Sequence, residues 1–150
     1  MQENKVKLCF RLTQDQSAGF PVGAERIWCR KEPGGYRVKN APFFVDGLSF
    51  EDLITVRDLG SGDVELDQIL ERSGNSTIWM NFSNPDFSKA VLDSIRSLGC
   101  SIEGGVFPGY FSVNVPEIVP IVDVFDLLDK EINQGVLEVN YPSIRQERSE

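Results

Sequence analysis

The chain has 150 residues, of which 41% are hydrophobic, and a formal net charge of −8 at neutral pH. A chain of this length and aromatic content can bury a core, which argues against disorder. It contains no histidine. This absence excludes the commonest general base, the commonest zinc ligand and every nucleophile pair that depends on an imidazole.

Other familiar chemistries also lack their residues. Cys9, Cys29 and Cys100 are odd in number and have no CxxC spacing, so we interpret them as small packing residues rather than disulfide or metal sites. No glycine-rich phosphate loop of Walker or Rossmann spacing occurs. We therefore expect no catalytic residues, no metal and no cofactor, and we predict that the protein is not an enzyme.

The charge distribution predicts the kind of partner. Residues 1–75 carry a net charge of −2 and residues 76–150 carry −6. Such acidity argues against nucleic acid and against anionic membranes, and it favours a basic protein partner. No apolar run is long enough to span a bilayer, and no signal peptide precedes the first strand-like segment, so we predict a cytoplasmic location. The sequence leaves the oligomeric state open.

The first half, residues 1–75, has the pattern of a β structure. Alternating residues begin at position 6, and the turn signal Glu32-Pro33-Gly34-Gly35 predicts a hairpin. Residues 14–23 are expected to form a loop. Strands are predicted at residues 6–12, 24–30, 36–40, 53–58 and 64–71. Five short strands with tight turns indicate a small barrel or a bent sheet.

The second half, residues 76–150, mixes strands with two helices. Asn84-Pro85-Asp86 starts the first helix and Gly99 ends it, while Pro120 and Gly135 enclose the second. The predicted buried stripes are Phe87, Val91, Ile95 and Leu98 in the first helix, and Ile121, Phe125, Leu128 and Ile132 in the second. Strands are predicted at residues 77–82, 100–103, 110–115 and 136–141.

The order βαββαβ in this half predicts a ferredoxin-like arrangement. The predicted fold class is therefore α+β, with a small β-barrel-like or bent-sheet region packed on a ferredoxin-like half. The junction between the halves is too short for a free linker, so we expect them to pack as one compact unit.

Short pieces spread across the chain resemble one bacterial family. The pieces are Glu25, Trp28, Tyr36, Asn40, Pro42-Phe43-Phe44, Gly47, Ser73-Gly74, Ser76-Thr77 and Gly99. Their order and spacing are similar to the domain-of-unknown-function family 4265 (DUF4265). The resemblance implies no activity, because the family has none assigned. Members often carry histidine where this chain has Asn75, so chemistry that needs that histidine is not expected here.

Trp28 is the first candidate for a binding residue. In the strand predicted at residues 24–30, Ile27 and Cys29 share one face, while Arg26, Trp28 and Arg30 share the other. If the first pair faces the core, Trp28 lies outside between two guanidinium groups and suits a protein partner or a flat ligand. The alternative is that Trp28 packs beneath the second half, shielded by the arginines.

Further cations and a tyrosine surround this candidate. Tyr36 lies on the next predicted strand, and the cluster also includes Lys31, Arg37 and Lys39. It resembles a small nucleic-acid-binding ribbon. Neighbouring carboxylates and the net charge oppose that interpretation, and a solvated hairpin face is favoured instead.

The second predicted helix forms the most acidic candidate surface. Its carboxylates are Asp123, Asp126, Asp129 and Glu131. They could steer a basic enzyme cleft towards the helix, or they could simply form a soluble helix face. A separate polar cluster could bind a small anion or nucleotide, or could satisfy backbone groups at the junction. Its members are Ser73, Asn75, Ser76 and Thr77.

Three functions fit these observations. The favoured hypothesis is a small acidic interaction module, an immunity-type inhibitor that binds and neutralises a cognate toxin or other basic enzyme. The alternative is a regulatory domain that binds a small molecule or nucleotide without catalysis. An enzyme that uses only carboxylates comes third. Under the favoured hypothesis, the Trp28 cluster and the acidic helix contact the partner.

Overall fold

Strand residues outnumber helical residues in this chain. The computed structural model describes residues 5–17 and 20–146, with 43% in strands and 21% in helices. The fold is therefore mostly β, and the predicted α+β class with a ferredoxin-like half is wrong. The prediction was wrong because it assigned the fold class from the two helices of the second half, whereas strands contain twice as many residues as helices. The chain divides into two units, residues 1–73 and 74–150. The expectation that the halves pack as one stays a prediction.

The first unit is a closed five-stranded barrel. Its elements are β1 (Lys5–Arg11), α1 (Gln14–Ser17), β2 (Ala24–Glu32), β3 (Gly35–Val38), β4 (Leu53–Gly60) and β5 (Asp63–Glu71). Consecutive strands pair antiparallel, and β1 closes the barrel by pairing parallel to β5 at Cys9–Asp63 and Phe10–Val64. The buried core residues are Phe10, Ile27, Cys29, Val38, Val45, Leu48 and Ile54.

A short helix occupies part of the segment that the sequence predicts as a loop at residues 14–23. Thr13 Oγ1 accepts a hydrogen bond from the Gln16 backbone nitrogen at 3.1 Å, and Gln16 Oε1 accepts one from the Thr13 nitrogen at 2.9 Å. This reciprocal pair is a capping box, which satisfies two amide groups at the start of a helix. The Thr-x-x-Gln spacing in the sequence is the signal for this short helix. Residues 18 and 19 of the predicted loop lie outside the described residues.

The β2–β3 hairpin depends on two adjacent glycines for different reasons. Gly34 has a φ of +87°, in the left-handed region that favours glycine. Gly35 lies so close to β4 that an added Cβ would overlap the carbonyl oxygen of Ile54. The first glycine permits the turn, and the second permits the close pairing of β3 with β4.

The second unit is a four-stranded antiparallel sheet with two helices. Its elements are β6 (Ser76–Phe82), a 3₁₀ turn (Pro85–Phe87), α2 (Ser88–Ser97), β7 (Ser101–Glu103), β8 (Tyr110–Val115), α3 (Ile121–Asn133) and β9 (Leu137–Ser143). The strand order is β7-β8-β6-β9. Ile78, Met80 and Phe82 of β6 lie in one core with Val91 and Ile95 of α2 and with Val124 and Leu128 of α3.

Gln146 holds the beginning of α3. Its Oε1 accepts a hydrogen bond from the Ile121 nitrogen at 3.0 Å, and its Nε2 donates to the Val119 carbonyl at 2.6 Å. Pro120 precedes the helix without a side-chain cap. A residue distant in sequence therefore supplies the acceptor that a helix start normally takes from its own N-cap.

Candidate functional site

A groove of about 680 Å³ opens between α2 and α3 of the second unit. Ala90, Val91 and Ser94 line it from α2, and Leu127 supplies an apolar side chain from α3. The remaining lining residues are Phe87, Asp126, Lys130, Glu131, Gln134 and Val136. Apolar side chains therefore meet charged ones in one concave site, as in many binding pockets.

Phe87 stands at the edge of this groove with 57% of its surface exposed. The sequence predicts it in the buried stripe of α2, and that prediction is wrong. Phe87 ends the 3₁₀ turn that precedes α2 and occupies the N-cap position of that helix. α2 itself begins only at Ser88, so Phe87 precedes the helix and lines the groove, and Val91, Leu92 and Ile95 are the buried residues of α2.

Carboxylates line the α3 side of the groove. Asp123, Asp126 and Asp129 are exposed, Glu131 is half-buried, and Lys130 is the one base of the helix. Asp126, Lys130 and Glu131 reach the groove itself. The helix thus combines an apolar edge with a net negative charge. This combination is complementary to a partner that presents an apolar side chain surrounded by basic residues.

Trp28 lies on the outer face of the barrel, and 45% of its surface is exposed. Ile27 and Cys29 beside it are fully buried, so the strand alternates as the sequence predicts. The backbone nitrogen of Trp28 donates to Asn40 Oδ1 at 2.6 Å. Lys7, directly opposite on β1, places its Nζ 5.0 Å from the centre of the indole ring. This is a cation–π contact.

Several cations near Trp28 are already paired with carboxylates. Arg30 and Arg37 both bond to Glu32, at 2.6 and 2.8 Å, and Arg37 also contacts Glu71 at 3.2 Å. The hydrogen bonds from Arg37 and then Arg30 lower the pKa of Glu32 to about 2. Arg30 therefore belongs to a network of ion pairs between strands of the barrel.

Tyr36 does not share the outer face with Trp28. It alternates with Arg37 along β3 and packs, half-buried, against the barrel core. The structure therefore separates Tyr36 from the Trp28 cluster to which the sequence assigns it.

The polar segment from Ser73 to Thr77 is used by the backbone. The Ser73 nitrogen donates to Asp52 Oδ1 at 2.8 Å, and its hydroxyl donates to the Phe50 carbonyl at 2.7 Å. Ser76 Oγ accepts from the Arg145 nitrogen at 2.8 Å. Ser76 and Thr77 are fully buried, and Asn75 is half-buried. These contacts match the backbone-satisfying alternative rather than an exposed anion site.

Buried Glu25 is the important residue that sequence reasoning missed. It lies on the inward side of β2 with Ile27 and Cys29. Its carboxylate accepts hydrogen bonds from the nitrogens of Phe43, Phe44 and Val45, at 2.5, 2.8 and 3.1 Å. The sequence did contain a signal for this role: Glu25 alternates along the strand with Ile27 and Cys29, so its carboxylate is expected on the buried side.

Residues 5–17 and 20–146 contain neither a metal-binding cluster nor a membrane-spanning helix. Within them, no group of three or more Cys, Asp or Glu side chains is placed to hold a metal ion. Of the helices in the same residues, none combines the length and the apolar character needed to cross a membrane.

Comparison with known proteins identifies a family and a fold. Residues 25–139 match the family described as Domain of unknown function (DUF4265), which confirms the predicted resemblance. No curated protein matches the chain. The solved structure described as a novel crystal structure of a hypothetical protein from Neisseria gonorrhoeae is similar, with a TM-score of 0.75 and 18% identity. The alignment covers 98% of this chain and 99% of that one, and at this identity it shows the fold alone.

Proposed function

The chain belongs to the DUF4265 family, and from its geometry we propose that it is a non-catalytic protein-binding module of the cytoplasm. In this proposal it is an immunity-type inhibitor that neutralises a toxin or effector enzyme. The partner is basic around the surface that it presents, and it docks on the groove between α2 and α3.

The groove is the observation that supports this proposal. It offers an apolar floor, the exposed ring of Phe87 and the carboxylates of Asp126 and Glu131 within one cavity. Binding energy in protein interfaces concentrates in such places, where an apolar anchor enters a pocket and polar groups surround it. An aliphatic or aromatic side chain of the partner would occupy the floor.

The acidic helix supplies long-range attraction. Four carboxylates against one lysine on α3 give a field that draws a basic surface towards the groove. Surface charges of this kind raise the rate of association. Added salt reduces this effect, because it screens charges that are farther apart than the Debye length, which is about 8 Å at physiological ionic strength. An inhibitor that must reach its target before damage occurs benefits from fast association.

Capture of the partner tests this function. The tagged protein is recovered from the cytoplasm of its own bacterium at low and at high salt, and bound proteins are quantified by mass spectrometry. We expect one stoichiometric, salt-sensitive partner, whose enzymatic activity the purified protein inhibits. Inhibition is the decisive result, because capture alone does not distinguish an inhibitor from an adaptor.

Variants of the groove locate the contact. Phe87→Ala and Asp126→Lys should each weaken binding at least about tenfold, which corresponds to about 1.4 kcal/mol. Glu138→Lys is the matched control, because Glu138 is an exposed acid of the same unit outside the groove lining. Equal recovery of the partner by all three variants would contradict docking at the groove.

A second candidate function rests on the size of the same groove. Its volume of about 680 Å³ lies within the range of small-molecule pockets, about 300 to 1,000 Å³. A regulatory domain that binds a small molecule would use it as a ligand site. A thermal-shift screen of nucleotides and metabolites tests this alternative, and stabilisation that Phe87→Ala abolishes would favour it over the inhibitor.

A further inference from the structure

The barrel separates its charges onto different strands. We call one surface of the barrel the β1–β3 outer face. It consists of the outward side chains of β1, β2 and β3 together with Lys39, which follows β3. Its cations are Lys5, Lys7, Arg11, Arg26, Arg30, Arg37 and Lys39. Most carboxylates of the described part of this unit lie elsewhere, and β4 and β5 carry Asp58, Asp63, Glu65, Asp67 and Glu71. An acidic protein therefore carries a cationic face on its first unit.

Several of these cations form ion pairs with carboxylates, but in the described residues two that lie near Trp28 do not. Arg11 pairs with Asp63, Arg37 with Glu32 and Glu71, and Lys39 with Glu51. Within residues 5–17 and 20–146, neither Lys7 nor Arg26 forms an ion pair. Both side chains therefore keep their charge available to a bound anion.

Both cations lie beside the exposed indole, and the Lys7 ammonium group lies over one face of its ring, 5.0 Å from the ring centre. Lys7 lies directly opposite Trp28 on β1, and Arg26 lies two residues before it on the same face of β2. Alternate residues of one strand point to the same side about 7 Å apart, so a carboxylate can reach either cation while a neighbouring side chain stacks on the ring. The site thus combines an exposed aromatic ring, one face of which contacts Lys7, with two positive charges that form no ion pair with a carboxylate of the described residues.

We propose that the β1–β3 outer face, centred on Trp28, Lys7 and Arg26, binds a short acidic polypeptide segment. The carboxylates of the segment pair with Lys7 and Arg26, and an aromatic or aliphatic side chain packs on Trp28. This site differs from the α2–α3 groove in its charge, so it selects a different partner. A basic enzyme that docks on the groove would be repelled here.

The surrounding charges favour a peptide over a nucleic acid. Glu32 and Glu51 lie among the cations of this face, where a continuous phosphate backbone would meet them. A long polyanion would also experience the net charge of −8. A short acidic segment contacts only the local patch and avoids both costs.

The test measures the anisotropy of a fluorescein-labelled peptide of alternating Glu and Tyr at low ionic strength. A peptide with Lys in place of Glu and an oligothymidylate are measured beside it. The protein is used as the full chain, in wild-type form and as the double variant Lys7→Gln/Arg26→Gln and the single variant Trp28→Ala. The matched control is Lys31→Gln, an exposed lysine of β2 in phase with Cys29 and therefore on the opposite side of the strand.

We expect the wild type to bind the acidic peptide and to ignore the basic one. The double variant and Trp28→Ala should each bind about tenfold more weakly, and Lys31→Gln should stay within about twofold of wild type. Circular dichroism confirms that each variant is folded. Three results would overturn the proposal: no binding by the wild type, equal losses in Lys31→Gln and the double variant, or preference for the oligothymidylate.

Discussion

Glu25 Oε1 accepts a hydrogen bond from the backbone nitrogen of Phe44 at 2.8 Å, which joins β2 to the segment that follows the β2–β3 hairpin. The same carboxylate holds the nitrogens of Phe43 and Val45. All four residues are buried. Glu25 and Phe43-Phe44 belong to the pattern that resembles the family, and their contact explains that part of the pattern as scaffold rather than as chemistry.

Replacing this carboxylate should destabilise the barrel strongly. In Glu25→Gln, the amide nitrogen faces a backbone N–H in place of an acceptor, which leaves a buried donor unsatisfied. We expect a loss of about 3 kcal/mol in the free energy of unfolding, measured by urea denaturation. The control is Glu65→Gln, whose partner Arg57 is exposed, and which should cost less than about 1 kcal/mol. Equal losses in the two variants would contradict the assigned role of Glu25.

Acid should remove the contribution of the Glu32 network. Hydrogen bonds from Arg37 and Arg30 lower the pKa of Glu32 from 4.5 to about 2 in the folded protein. A depressed folded-state pKa stabilises the protein at neutral pH, and that stabilisation is lost as pH falls through the interval between these values. Glu32→Gln should therefore be less stable than wild type at neutral pH, and the difference should shrink on acidification. Urea midpoints over a pH series measure it, and a pH-independent difference would exclude this linkage.

The three thiols should react at different rates. Burial raises the pKa of Cys29 to about 12 and that of Cys100 to about 11. Burial, followed by a hydrogen bond with Asp63, also raises the pKa of Cys9, but this thiol is only half-buried. Because the thiolate is the nucleophile, Ellman's reagent should modify Cys9 first and the other two only on unfolding. Cys9→Ser should abolish the early phase, and its persistence would show that a buried thiol opens in the native state.

Gln146 should determine how firmly α3 begins. Gln146→Ala removes the acceptor of the Ile121 nitrogen and the donor to the Val119 carbonyl. We expect a loss of about 1 kcal/mol and faster hydrogen exchange at Ile121. Gln134→Ala removes an exposed side chain at the other end of the same helix, where Gln134 contributes only its backbone N–H to the cap, and serves as the control. Unchanged exchange at Ile121 in Gln146→Ala would contradict this capping role.

Local patterns predicted the strands and helices better than they predicted the fold class or the site. The alternation around Trp28 correctly placed Ile27 and Cys29 inside, because strand periodicity directly reflects burial. Phe87 was misassigned because the predicted helix starts too early: a 3₁₀ turn comes first, and α2 begins only at Ser88. The groove depends on how two helices approach each other, and the ion pairs of Arg30 and Arg37 depend on strand register. Neither is contained in a local pattern.

The parallel seam that closes the barrel has a consequence for folding kinetics. Cys9 and Asp63 meet there although most of the first unit lies between them in the chain, whereas the other barrel strands pair with their sequence neighbours. Closing such a long loop costs entropy before its contacts can compensate, so the antiparallel ribbon of β1 to β5 can form first and the parallel seam between β1 and β5 last. By the same reasoning the seam is the place where the barrel opens first, which exposes the edges of β1 and β5 together.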